Sequence, residues 1–78
     1  MSFLQQNDLI EIEGNVCEMI YTNEDNGYTV CVVESEKIAL TAAGYMPLMN
    51  EGEIVKLTGR WTNHPEYGEQ FSVQYYEK

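Results

Sequence analysis

Apolar residues in this chain return at every second position, in runs that are short and repeatedly broken by Asn, Gly and Pro. Between Glu53 and Trp61, Val55, Leu57, Gly59 and Trp61 share one parity, while Lys56, Thr58 and Arg60 share the other. A period of two marks a strand with one buried face. No stretch of ten residues carries helical spacing. The run Gly59 to Phe71, GRWTNHPEYGEQF, constrains the fold most. It starts as a strand, breaks at Asn63, His64 and Pro65, and re-enters a strand after Gly68. Such a corner closes a small barrel.

The rest of the chain follows in order. Residues 1–8 are polar and aperiodic and read as a loose leader to a barrel domain over 9–78. Leu9 to Tyr21 is a first strand with Ile10, Ile12, Val16 and Ile20 on one parity. That parity turns Glu18 inward, so a bulge at Gly14 and Asn15 is expected to bend the strand and shift its facing. Thr22 to Gly27 is turn chemistry, since Asn and Gly tolerate positive φ. Tyr28 to Glu34 is β-branched and aromatic, a second strand. Ser35 and Glu36 turn the chain into a third strand, Lys37 to Ala43.

Gly44 to Gly52 is a one-turn link. Pro47 suits a helix start, and Met46 or Leu48 is expected to plug the barrel end. The fourth strand ends at Trp61, and Gln70 to Tyr76 forms the fifth, with Phe71, Val73 and Tyr75 inward. Gly59 leaves room for a close neighbour. The expected core includes Val16, Val30, Leu57, Trp61, Phe71 and Val73. The fold class is all-β: a five-stranded OB-fold-like Greek-key barrel with its break after the third strand. An SH3-like barrel, with shorter strands and no plug, is the alternative.

Seventy-eight residues support one modest core. The chain lacks a GxxxxGK[ST] loop and a GxGxxG turn, so it carries no recognisable phosphate cradle. Its net charge is −9, from 13 acidic residues against Lys37, Lys56, Arg60 and Lys78. Phosphate affinity needs Lys and Arg, so this balance disfavours strong nucleic-acid binding and favours a protein partner. Cys17 and Cys31 show no CxxC spacing and read as reduced structural thiols, with a cross-strand disulfide as the minor reading. The N-terminus does not read as a signal peptide and no run reaches the length of a membrane span, so a cytoplasmic location is expected.

Three segments carry a family resemblance: Ile20 to Val30 (IYTNEDNGYTV), Gly59 to Phe71, and Gly44-Tyr45-Met46-Pro47 followed by Glu51-Gly52-Glu53. In this order and spacing they resemble the N-terminal domain of bacterial RecD-like ATP-dependent DNA helicases, the exodeoxyribonuclease V alpha-subunit-like proteins. The similarity runs from about Leu9 to Tyr76. It implies an OB-like barrel ahead of helix-hairpin-helix and motor domains. The parent would be a superfamily 1 enzyme moving 5′ to 3′ on single-stranded DNA, with ATP and magnesium as its cofactors. None of the motor motifs is in this sequence. The resemblance therefore implies an excised domain or truncated product, with no cofactor and no enzymatic activity of its own.

OB barrels bind oligonucleotides on the second and third strands and on the first–second and fourth–fifth loops. Tyr28, Arg60, His64 and Tyr67 are the candidate nucleic-acid or partner contacts: aromatic planes to stack on bases and a cation for phosphate. The bland reading stands beside each one. Trp61 and Phe71 belong to apolar parities and read as core, Tyr28 can face either way, and loop aromatics can simply pack on the barrel. Glu24, Asp25, Glu66 and Glu69 would repel phosphate. Asn23 to Gly27 is no calcium loop, because Val33 stands where the twelfth-position Glu is required. His64 has no Ser, Cys or acid partner at a catalytic spacing. Docking against the remaining helicase domains or another protein is the favoured reading, with weak single-stranded DNA binding as the alternative and an interface for a basic partner as a third.

Overall fold

The computed structural model describes residues 9–36, 38–47, 49–66 and 68–78. The expected leader, Lys37, Leu48 and Tyr67 lie outside the described residues. The strands are β1 (Ile10–Thr22), β2 (Tyr28–Ser35), β3 (Ile38–Tyr45), β4 (Ile54–His64) and β5 (Gly68–Glu77). They close into a barrel in the order β1-β2-β3-β5-β4. β1 completes the ring by pairing β4 over Ile10–Asn15 and β2 over Asn15–Thr22. β3 and β5 run parallel, and the other pairs are antiparallel. This is the OB arrangement.

The interior is filled by Val16, Cys31, Val33, Ala42, Leu57 and Phe71, with Leu40, Val55 and Val73 around them. The link after β3 consists of turns rather than a helix. It drives Met46 and Met49 into the barrel end. Backbone and side-chain bonds hold it there. Met46 N–H donates to Gly27 O at 3.0 Å, and Gly52 N–H donates to Val16 O at 2.7 Å. Tyr76 Oη donates to Pro47 O at 3.0 Å. Thr29 is buried, and its hydroxyl donates to Met46 O at 3.0 Å.

Several expectations need correction, and each traces to strand parity. β1 carries its irregularities between Val16 and Glu18 and between Met19 and Tyr21, not at Gly14 and Asn15. The first turns Glu18 outward and half-buried Met19 toward the core; the second leaves Ile20 exposed. Ile10 is also exposed. In β2 the odd positions face inward, so Thr29, Cys31 and Val33 are buried and Val30 is only half-buried on the outer face. In β5, Val73 opposes Gly59 while Tyr75 opposes Thr58, and Gln74 is the extra residue. That bulge sends Tyr75 outward, 66% exposed, and turns Tyr76 toward the core.

Trp61 is not core. It lies opposite Phe71 but beyond the barrel's closed section, and it stays 36% exposed. β4 runs on to His64 and β5 begins at Gly68, so the hairpin is longer and its loop tighter than the sequence suggests.

Candidate functional site

The first loop is built to hold Tyr28. Asn23 Oδ1 accepts the Asp25 N–H at 2.9 Å, and Asn26 Oδ1 accepts the Tyr28 N–H at 2.9 Å. Gly27 adopts φ 80°, and its N–H returns to Asn23 O at 2.8 Å. These short polar side chains replace backbone partners in a turn. Tyr28 then leaves the loop on the outer face of β2, opposite Tyr45 of β3. Both rings are exposed.

On the other side stands the β4–β5 hairpin. His64 pairs with Gly68, whose φ of 82° suits the turn. His64 Nδ1 accepts the Glu66 N–H at 3.0 Å. That bond places the proton of the neutral ring on Nε2 and fixes the ring's direction.

Between loop and hairpin lies a groove of about 610 Å³. β1 contributes Ile20 and Tyr21, and β2 contributes Tyr28 and Val30. Thr41 of β3 forms part of the wall, and His64 and Gln70 close it from the hairpin. The groove therefore sits on the second and third strands between the two loops that OB barrels use for ligands.

The ladder pairings show how the outer face is tiled. One row runs Tyr21, Val30, Ala43, Ser72, Arg60 across all five strands. A neighbouring row runs Glu18, Val32, Thr41. Arg60 thus shares the face but not the groove. It lies opposite Ser72 on β5, one strand over and two residues along from the wall residue Gln70, and does not itself line the groove. The other described cations sit among carboxylates. Lys56 is opposite Glu13 and Glu77, and Lys78 Nζ lies 3.4 Å from Glu53. Among the described residues, no Lys or Arg lines the groove.

Of the sequence candidates, Tyr28 and His64 come together, Arg60 stands apart, and Tyr67 lies outside the described residues. Tyr21, Ile20, Val30, Thr41 and Gln70 were not anticipated as wall residues. Tyr21 and Ile20 reach the groove only because β1 slips register twice, which no alternation pattern announces. Among the described residues, no group of three or more His, Cys, Asp or Glu is placed to hold a metal ion. Among the described residues no helix is long and apolar enough to cross a membrane. Both cysteines are free: Cys17 is exposed and Cys31 buried. Burial pushes the Cys31 thiol up to about 11, and neighbouring Cys17 adds to the shift.

The family model for the OB-fold domain of the ATP-dependent DNA helicase YrrC matches residues 9–78. The chain belongs to this family of helicase-associated OB domains.

Proposed function

We propose that this chain is the non-catalytic OB domain of a RecD-like 5′–3′ DNA helicase acting in unwinding and repair in the cytoplasm. Its role there is docking. The groove takes a segment of the remaining helicase domains, or of another protein, and positions it against the barrel. ATP and magnesium belong to the parent motor. The observation that carries this reading is the groove's make-up: tyrosine, isoleucine and valine walls with no cation among the described residues, on a chain of net charge −9. Apolar and aromatic area drives protein docking. Phosphate binding would need positive charge at the wall.

A second reading is favoured by one observation, the groove's location on the face OB barrels use for oligonucleotides. Tyr21, Tyr28 and His64 would then stack bases weakly, and Arg60 would contribute at a distance. The test is fluorescence anisotropy of a labelled oligo-dT strand with the 78-residue chain at low salt. Docking predicts no saturable binding. Micromolar affinity that falls as salt rises would establish the DNA reading instead.

A further inference from the structure

We infer that the groove receives its partner as an added β-strand, inserted at the open seam between β3 and β5 and carrying basic side chains. The inference rests on the docking reading above.

The barrel is closed unevenly. All eight residues of β3 pair with β2, but β5 is joined only through Ala42–Phe71, Ala43–Ser72 and Gly44–Val73. Gly44 makes the tight end possible, since an added Cβ would stand 2.8 Å from Val73 O. Continued in register, the ladder would match Thr41 with Gln70 and Leu40 with Glu69. It does not form. Gly68–Gln70 instead follows β4 into the hairpin, pairing His64, Asn63 and Thr62. So β3 over Ile38–Thr41 and β5 over Gly68–Gln70 each keep one edge without a ladder partner among the described residues. The seam opens into the groove, because Thr41 and Gln70 are both wall residues.

An unpaired strand edge is a template for another strand. Main-chain bonds then supply affinity, and alternate side chains supply specificity. The charge around the seam selects the occupant. Glu34 lies opposite Ala39, Glu36 sits in the turn before β3, and Glu18 shares a row with Thr41. Glu69 lies on the far edge, and all four carboxylates are exposed. Lys37 directly precedes Ile38 in the sequence, and with Glu34 and Glu36 beside it the segment still carries net negative charge. A segment alternating Lys or Arg with aliphatic residues fits this surround. A nucleic-acid backbone does not.

The test uses the ¹⁵N-labelled chain and a capped decapeptide alternating lysine and valine, with a glutamate–valine decapeptide as control. The expected result is that Tyr28 and His64 signals shift with the lysine peptide alone. Amides within Ile38–Thr41 that point away from β2 should then exchange at least about tenfold more slowly. A paired Glu34→Lys, Glu69→Lys variant, which should still fold because both sites are exposed, should lose about tenfold in affinity. Groove shifts without slowed exchange in Ile38–Thr41 would overturn strand addition and leave docking standing. Failure of the lysine peptide together with binding of oligo-dT would overturn both.

Discussion

The Trp61 and Phe71 rings meet edge-to-face across β4 and β5, with centroids 5.2 Å apart and planes at 73°. The two partners are unequal. Phe71 is fully buried, whereas Trp61 caps it from the half-exposed hairpin. Removing Phe71 leaves a cavity at the barrel centre. Phe71→Ala should cost about 3–5 kcal/mol. Trp61→Ala should cost about 1–2 kcal/mol, chiefly the ring pair and the partial burial. Urea denaturation of both variants checks the order; a Trp61 loss equal to the Phe71 loss would contradict it.

At Gly59, β4 and β5 run too close together for a side chain. An added Cβ there would overlap the Ser72 carbonyl, which is backbone and has no side-chain freedom to yield. Gly59→Ala should destabilise the barrel by about 3 kcal/mol or more. Gly52 offers the contrast. Its φ of 92° makes a side chain strained, but nothing stands within 4 Å. Gly52→Ala should cost only about 1–2 kcal/mol. Thermal melts of the two proteins separate crowding from backbone conformation.

The Thr29 hydroxyl is the only buried polar side chain among the described residues, and it ties the plug to β2. Thr29→Val keeps the shape and removes the donor, leaving Met46 O short of a partner. A loss of about 1–3 kcal/mol is expected. In denaturant titrations the midpoint should fall with the slope unchanged.

Cys31 ties stability to alkaline pH. Its thiol is held protonated in the fold up to about 11, against an ordinary 9.0. The folded state therefore binds the proton more tightly than the unfolded chain. Its contribution is complete below pH 9 and is lost as pH rises from about 9 through about 11, by at most ~1.4 kcal/mol per pH unit. Cys31→Ala should flatten this slope relative to the parent chain in denaturation series across that window. In the native protein at pH 8, a thiol reagent should modify exposed Cys17 and spare Cys31 until unfolding.

Much of this architecture is legible from alternation and turn residues. Val55, Leu57 and Phe71 announce their burial, and Asn23 to Gly27 announces its hairpin turn. Alternation fails wherever a strand carries an extra residue. The slips after Val16 and Met19 and the bulge at Gln74 reverse parity, so Ile20 and Tyr75 read inward and stand outward. In β2 the run YTVCVVE is apolar on both parities, and only its register with β1 and β3 puts Thr29, Cys31 and Val33 inside and Val30 on the groove. Trp61 misleads for another reason: its parity is correct, but the barrel wall does not extend far enough to cover it. The loops that frame the site were readable from turn chemistry. The wall between them was not, because it depends on register.

Docking through the groove is tested most directly by titrating the ¹⁵N-labelled chain with the parent helicase lacking this domain. The predicted result is loss or displacement of the Tyr21, Tyr28, Thr41, His64 and Gln70 signals at micromolar partner, with Lys56 and Glu77 on the opposite side unmoved. Groove signals that stay in place while the parent remainder is in excess, but move when oligo-dT is added, would contradict it.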